Sequence, residues 1–152
     1  MYGQISSRLD KIEQPELKKE KIVVNQEAPK MTGYKTYVLF GIDTRGEGSQ
    51  YSAQNSDTMI IVSVNNDTKE VRMVSVYRDT LLNVGDDTYT KANAAYALGG
   101  PEQAITMLNT NLDLDISDYA TADFSALVEV IDDLGGLDIP LSYAEIEHMN
   151  NY

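Results

Sequence analysis

The chain has 152 residues and no cysteine, so it can form one domain with a substantial core but neither disulfide bonds nor thiolate metal sites. Its net charge of −12 is unevenly distributed: residues 1–35 carry seven Lys or Arg against five Asp or Glu, whereas residues 36–152 carry five against nineteen. Nucleic-acid binding needs clustered basic side chains, so this acidic body argues against nucleic acid as a partner and fits a metal-assisted site better.

Residues 1–35 have the composition of a stalk. They are polar and lysine-rich, and Pro15 and Pro29 interrupt them. The chain has no run of about 18 apolar residues, and Met1 is not followed by the pattern of a signal peptide. We therefore expect a polar linker over residues 1–35 and one folded domain over residues 36–152.

Three apolar runs rich in strand-forming residues open the predicted domain. The first, TYVLFGID at residues 36–43, is almost uninterrupted, which is typical of a strand that is buried on both faces. The second and third are DTMIIVSV at residues 57–64 and EVRMVSVYRD at residues 70–79. The turn-forming segment NNDTK separates them, and this combination predicts a β-hairpin.

The predicted hairpin brings polar side chains together at its open end. If its turn centres on Asp67 and Thr68, residues whose numbers sum to about 135 face one another, so that Asp57 lies near Arg78. If the first strand runs parallel to the third, its final residue, Asp43, reaches the same edge. Acidic side chains and an arginine then share one edge of the sheet.

The second half of the chain contains the helical patterns. PEQAITMLNTNL at residues 101–112 places proline at the first helical position, and DFSALVEVIDDLGG at residues 123–136 combines helical spacing of apolar residues with closing glycines. LDIPL at residues 137–141 predicts one further short strand. Because strands and helices alternate, we expect an α/β fold in which helices flank a mixed central sheet.

Charged residues at the strand ends are the first candidates for a functional site, because a strand end is rigid while its side chains reach open space. Asp43 and Asp57 offer the hard carboxylate oxygens that Mg²⁺ binds, commonly together with substrate phosphates. Arg78 and Arg45 offer planar donor groups that bind two phosphate oxygens at once. A structural charge cluster, in which arginines only relieve repulsion between acids, is the alternative that these residues leave open.

The segment KANAAYALGG contains weaker candidates. Lys91 and Asn93 precede a stretch of small residues, which by itself is typical of a loop that leads into a helix. Gly99 and Gly100, placed before Pro101, could expose backbone amides to an anion, although a turn with a helix cap is the simpler interpretation.

Five motifs follow one another along the chain: VLFGIDTR, NSDTMIIVSVN, VSVYRDT, KANAAYALGG and DFSALVEVIDDLGGLDI. Each is weak alone. In this order and spacing, over about residues 36–139, they resemble the catalytic domain of the LytR-CpsA-Psr family. The resemblance implies the α-β-α sandwich of that family.

The resemblance also implies a function. It indicates a phosphotransferase at the extracytoplasmic face of a bacterial membrane, tethered by an N-terminal transmembrane helix upstream of this chain. Such an enzyme moves a glycopolymer phosphate, as in wall teichoic acid or capsular polysaccharide, from a polyprenyl-pyrophosphate carrier to peptidoglycan. Two alternatives stay open: a non-catalytic module that binds polyprenyl phosphate or wall polymer, and a lipid pyrophosphatase.

Carried over by motif, two acidic residues would hold the cofactor. Asp43 and Asp57 would bind Mg²⁺, or alternatively Mn²⁺, on the pyrophosphate. Arg78 and Arg45 would clamp the oxygens of the same group. Positioning and charge neutralisation do most of the work in phosphoryl transfer, so a metal and arginines can suffice without an obvious nucleophile.

The resemblance assigns supporting roles to residues near Arg78. Asp79 either orients Arg78 or acts as a base, and Lys91 and Asn93 support the substrate pocket. The predicted catalytic residues are therefore Asp43, Asp57, Arg78 and Asp79.

Three features depart from the family pattern. Asn55 stands where the second motif often begins with arginine, and Tyr77 stands where the third motif often has proline before Arg78. The family domain also extends well past SYAEIEHMNNY into a segment with further phosphate-binding arginines. We therefore expect residues 36–152 to be the N-terminal part of the catalytic domain, and so an incomplete fragment of the fold.

Overall fold

The computed structural model of the protein describes residues 17–25, 29, 32–42 and 55–151. Within these residues the strands are β1 Tyr34–Ile42, β2 Ser56–Asn65, β3 Val71–Ser75, β4 Leu81–Asn83, β5 Tyr89–Lys91 and β6 Asp118–Ala122. The helices are α1 Ala94–Leu112, α2 Phe124–Asp133 and α3 Tyr143–Asn150, and a short 3₁₀ helix at Lys19–Lys21 precedes them. None of these helices is both long and apolar enough to span a bilayer.

The main sheet has four strands in the order β3-β2-β1-β6, and β4 pairs with β5 in a separate two-stranded sheet. β1 is antiparallel to β2 and parallel to β6, while β2 is antiparallel to β3. The sheet is therefore mixed. With the helices beside it, this arrangement confirms the predicted α/β class.

The register of the β2–β3 hairpin is the one that its turn sequence predicts. Ile60 lies opposite Ser75, and Ile61 lies opposite Val74. β1 runs in the same direction as β3, because both strands are antiparallel to β2. The end of β1, the start of β2 and the end of β3 therefore meet at one edge of the sheet, as expected.

The third strand is shorter than predicted. β3 ends at Ser75, before the predicted end at Asp79. The chain turns instead, and the Thr80 amide donates a hydrogen bond of 3.0 Å to the Tyr77 carbonyl. Arg78 and Asp79 occupy the two central positions of this turn, which leaves both side chains exposed at the sheet edge.

The core lies between one face of the main sheet and α1. The inward-facing side chains of β1 and β2 are almost fully buried, and they are Val38, Phe40, Ile42, Met59 and Ile61. Helix α1 covers them with Tyr96, Ala104, Ile105 and Leu108. Complete burial of a large apolar side chain contributes about 1.5–3 kcal/mol, so this layer supplies much of the stability.

Helix α1 is interrupted where the sequence has two glycines. Gly99 and Gly100 have non-helical backbone angles, with φ of 68° at Gly100, which a residue with a side chain rarely adopts. Pro101 begins the second helical segment, which confirms the predicted helix start. Before the glycines, a turn at Ala92 and Asn93 leads into the helix at Ala94, in agreement with the predicted loop that leads into a helix.

Residues 17–25, which we call the strap, lie along α1. Leu17 and Ile22 pack against the core, and the Val23 amide donates a hydrogen bond of 3.1 Å to Thr106 Oγ1. The described part of the predicted linker is thus attached to the domain. The predicted boundary at residue 36 stays a prediction.

The C-terminal part of the fold differs from expectation in its strands. Residues 137–141 are not a strand: among the residues that the structure describes, no strand pairs with them, and Pro140 has no amide hydrogen to donate. β6 occupies the sheet edge instead, pairing for example Ala120 with Leu39. Its sequence, DYATA, lacks an apolar alternation that would have marked it as a strand.

The helix predicted over residues 123–136 is confirmed as α2. Asp123 caps its first turn by accepting a hydrogen bond of 2.8 Å from the Ala126 amide. Gly135 and Gly136 follow the helix with positive φ, as the sequence predicts. Helix α3 was not predicted.

Candidate functional site at the end of the hairpin

A β-bulge places Asp57 at the edge of the sheet. The β1–β2 pairing is regular up to Gly41 opposite Thr58 and then shifts, so that Ile42 lies opposite Ser56 and Asp57 is the extra residue. Without the shift, Asp57 would lie opposite Ile42 on the core-facing side. With it, Ser56 takes the inward position and is fully buried, while the Asp57 side chain stays 45% exposed.

Four side chains of alternating charge meet beside this bulge, and we call them the charged row: Asp57, Arg78, Asp79 and Lys91. Arg78 Nη1 lies 2.9 Å from Asp57 Oδ1, and Arg78 Nε lies 3.6 Å from Asp79 Oδ2. Lys91 Nζ lies 2.6 Å from Asp79 Oδ1. Two acids and two bases leave the row with no net charge.

Backbone hydrogen bonds hold the segments that carry the row. The Ala92 amide donates to the Thr80 carbonyl at 2.8 Å, and the Asn93 amide donates to the Arg78 carbonyl at 3.1 Å. The Asn93 carbonyl in turn accepts from the Ser56 amide at 3.4 Å. Asn93 therefore joins the start of β2 to the Arg78 turn through its backbone, and its side chain is buried.

Asp79 is held in its ionised form. The Lys91 ammonium, which donates a hydrogen bond to Asp79, holds the pKa of this carboxyl below its ordinary value, and Arg78 acts in the same direction. A general base works best when its pKa is near the operating pH. The environment of Asp79 therefore favours the orientation of Arg78 over proton abstraction.

The charged row contributes little to the stability of the fold. Its four side chains are each about half exposed or more, and ion pairs in such positions contribute little because water and salt screen them. Replacing one of these contacts by a contact to a ligand therefore costs the fold little. The row is consequently suited to exchange partners when an anion arrives.

The chain matches the LytR_cpsA_psr family over residues 1–150. It belongs to this family. This LytR-CpsA-Psr chain is 30% identical over 142 residues to a polyisoprenyl-teichoic acid–peptidoglycan teichoic acid transferase, TagU, of Enterococcus faecalis, covering 91% of the chain and 45% of the relative. It is 37% identical over 124 residues to Biofilm regulatory protein A of Streptococcus mutans, covering 72% of the chain and 30% of the relative.

The fold is similar to that of a solved member of the family. The structure of TagT of Bacillus subtilis with bound octaprenyl pyrophosphate superposes with a TM-score of 0.66 at 22% identity, covering 85% of this chain and 51% of TagT. At this identity the likeness establishes the fold. The chain spans less than half the length of the two curated relatives.

Five of the predicted site residues of the LytR-CpsA-Psr chain come together in the structure: Asp57, Arg78, Asp79, Lys91 and Asn93. Asp43 and Arg45 lie outside the described residues. β1, which precedes them, ends at Ile42 beside Ser56. The predicted site residues that the structure describes thus lie together beside one edge of the main sheet, with Lys91 and Asn93 contributed by β5 and the turn that follows it.

The acidic side chains of the site that the structure describes do not by themselves form a metal centre. Within residues 17–25, 29, 32–42 and 55–151, no group of three or more His, Cys, Asp or Glu side chains is arranged to hold a metal ion. Asp57 alone offers an exposed carboxylate at the bulge. A single carboxylate is compatible with Mg²⁺, which commonly takes one or two carboxylates together with phosphate oxygens.

Two features of the site escaped prediction from the sequence. The ion pair of Lys91 with Asp79 depends on the β4–β5 hairpin, which no sequence pattern marked. The inward position of Ser56 depends on the bulge. The signal that could have indicated the bulge is Asp57 itself, because a charged residue at a core-facing position demands a local change of register.

Proposed function

We propose that this protein is a phosphotransferase that moves a glycopolymer phosphate from a polyprenyl-pyrophosphate carrier to peptidoglycan. The polymer would be a wall teichoic acid or a capsular polysaccharide. The observation that carries the proposal is the exposed pair of Arg78 and Asp57 at the bulge, an anion-binding group beside a cation-binding group. It is supported by the transferase name of the TagU relative and by the octaprenyl pyrophosphate bound to TagT.

Arg78 would bind the pyrophosphate. Its guanidinium carries donors that match two phosphate oxygens, and it stays charged at any physiological pH. In the present structure these donors contact Asp57 and Asp79. On binding, Arg78 would exchange its contact with the Asp57 carboxylate for contacts with phosphate oxygens. Asp79 would stay paired with Arg78 Nε and so maintain the orientation of the guanidinium. Lys91 would support Asp79 in this position.

Asp57, together with Asp43, would hold Mg²⁺ or Mn²⁺. When bound, the metal would neutralise charge on the pyrophosphate and on the oxygen atoms that gain charge during transfer. Asp57 suits this role because the bulge presents its carboxylate at the exposed edge of the sheet. Arg45 would add a second guanidinium to the clamp.

The reaction is a displacement at the phosphorus that carries the glycopolymer. A sugar hydroxyl of peptidoglycan forms a new bond to this phosphorus, and the bond from phosphorus to the bridging oxygen breaks. The bridging oxygen leaves with the electron pair as polyprenyl phosphate, and the hydroxyl proton passes to water. Arg78 would stabilise the negative charge that develops on the bridging and non-bridging oxygens.

We further propose that the enzyme acts at the extracytoplasmic face of the membrane. The transferases among its relatives act on cell-wall polymers, as their names state. The excess of basic residues in residues 1–35 would favour a position near anionic lipid headgroups. A transmembrane helix N-terminal to this segment would provide the tether.

The experiment incubates the purified protein with lipid-linked polymer, Mg²⁺ and peptidoglycan and measures linked polymer. We expect Arg78→Ala to lower transfer about 10²–10³-fold, because it removes donors aimed at the developing charge. Arg72→Ala is the matched control, since Arg72 lies on the same hairpin and pairs instead with Glu70 at 3.0 Å. It should leave transfer unchanged.

The same experiment separates the alternatives. Undiminished transfer by Arg78→Ala would show that Arg78 does not bind the pyrophosphate, which contradicts the proposed site. Binding of lipid-linked polymer without transfer would favour the non-catalytic module. Release of phosphate without an acceptor would favour the lipid pyrophosphatase.

A further inference from the structure

The Ser56 hydroxyl is the one buried side-chain oxygen or nitrogen that lacks a hydrogen-bond partner among the residues that the structure describes. The side chain is fully buried. Leaving a buried hydroxyl unsatisfied destabilises a fold, and alanine would fill almost the same space without that cost. The position of this hydroxyl, next to Asp57 at the bulge, therefore requires an explanation.

A second Ser-Asp pair in the chain shows what such neighbours can do on a strand. At the start of β6, Ser117 Oγ donates a hydrogen bond of 3.3 Å to Asp118 Oδ2. Ser56 and Asp57 are the same pair of residues at the start of β2, yet Asp57 Oδ1 accepts from Arg78 at 2.9 Å. The Ser56 hydroxyl is thus a neighbouring donor that the present state of the site leaves unused.

We propose that Ser56 is a positioning residue for Asp57 in the ligand-bound site. This inference rests on the proposed function. When a pyrophosphate draws Arg78 away, the Asp57 carboxylate loses a donor. A rotation of the Ser56 side chain about its Cα–Cβ bond then supplies a hydrogen bond to Asp57, as Ser117 does for Asp118.

This new hydrogen bond from Ser56 matters because Asp57 is the residue that would bind the metal ion. A carboxylate that binds a metal ion is usually kept in place by a hydrogen bond from a neighbouring group, and loss of that group weakens metal binding. A purely structural serine behaves differently, since it already has a partner in the resting fold. Ser63, further along β2, illustrates this case with a contact of 3.3 Å to Thr36 Oγ1.

The test measures binding of inorganic pyrophosphate with Mg²⁺ by calorimetry, and thermal unfolding, for the purified protein and its variants. We expect Ser56→Ala to weaken binding about three- to tenfold, the value of one hydrogen bond, without lowering the unfolding temperature. Ser56→Cys keeps a side chain of similar size at this buried position, but a thiol is a weak donor. Binding by this variant should therefore be weakened to a similar extent. Ser117→Ala is the matched control and should bind as the wild type does.

A double-mutant cycle identifies Asp57 as the group through which Ser56 acts. In the Asp57→Asn background, Ser56→Ala should have no further effect on binding. Equal binding by the wild type and Ser56→Ala, or a lowered unfolding temperature in Ser56→Ala, would overturn the inference and leave the proposed function intact. If the wild type itself fails to bind pyrophosphate with Mg²⁺, the proposed function fails and this inference fails with it.

Discussion

Helices α1 and α2 are both amphipathic, but only α1 has its apolar side buried. Ala104, Ile105 and Leu108 of α1 are completely buried, whereas Leu127 and Val128 of α2 are half exposed. The spacing of apolar residues is at least as regular in α2. An amphipathic pattern and a good cap therefore suffice to predict a helix, but its burial depends on the surface that it meets.

The strands of the main sheet differ in the same way. The core-facing residues of β1 are buried beneath α1, whereas every residue of β3 is exposed. β3 forms the edge of the sheet, and among the described residues no other strand pairs with its outer side. We call β3 and α2 together the open side. β1 and α1, which we call the buried side, should determine the stability of the fold, and the open side should contribute little.

The largest expected effect comes from matched leucines. Leu108→Ala in α1 should lower the free energy of unfolding by about 2–5 kcal/mol, because it leaves a cavity in the core. Leu127→Ala in α2 should lower it by less than about 1 kcal/mol, since half of that side chain is already exposed. Urea denaturation measures both values, and similar losses would abolish the distinction between the two sides.

A second pair of variants concerns polar contacts of α1. Asn109 is buried, and its side chain donates to the Ile116 carbonyl at 3.0 Å and accepts from the Ile116 amide at 2.8 Å. Asn109→Ala should cost about 2–4 kcal/mol, because it leaves both backbone groups unsatisfied. Asn111→Ala removes the equivalent contacts to Asn83 and should cost about 1 kcal/mol, since that site is only partly buried and water can replace the amide.

A smaller effect tests how the strap is attached. Lys19 lies 2.9 Å from Asp118 and holds the pKa of that carboxyl below its ordinary value. The ion pair therefore stabilises the folded state above the unfolded pKa of about 3.9, and this stabilisation is lost as the pH falls through the lowered pKa of the folded state. Lys19→Ala should cost about 0.2–1 kcal/mol at pH 7 and nothing once Asp118 is protonated.

Unfolding in urea at pH 7, and again at a pH low enough to protonate Asp118, checks this expectation. Lys21→Ala is the control within the same short 3₁₀ helix. A cost of Lys19→Ala that persists in acid would show that the lysine stabilises the strap by packing its side chain rather than by its charge.

The smallest expected effect lies on the open side. Val128→Lys places a charge on the apolar side of α2, where the valine is 57% exposed, and should change the free energy of unfolding by no more than about 0.5 kcal/mol. A loss of about 2 kcal/mol would contradict the open side as described. If that loss grew with protein concentration, it would show that two copies cover this surface in solution.

Much of the candidate site could be predicted because hairpin pairing is a local property. Once NNDTK was identified as a turn, the meeting of Asp57 with Arg78 followed from the alternating register of the two strands, and the observed pairing agrees. The ion pair of Asp79 with Lys91 could not be predicted from the hairpin register. Lys91 reaches Asp79 from β5, through a hairpin of short strands that are stabilised by packing on α1 rather than by their own sequence.

By itself, the sequence determined the order of the first strands and main helices, the hairpin register and the family, because turn residues, helix caps and apolar spacing act over a few residues. Only the tertiary structure decided which amphipathic surfaces are buried, that β6 joins β1, and that a bulge turns Asp57 outward and Ser56 inward. These outcomes depend on contacts between distant segments, whose energies a local pattern does not contain. The bulge is the clearest case, because a shift of one residue decides which of two neighbouring side chains is buried and which reaches the site.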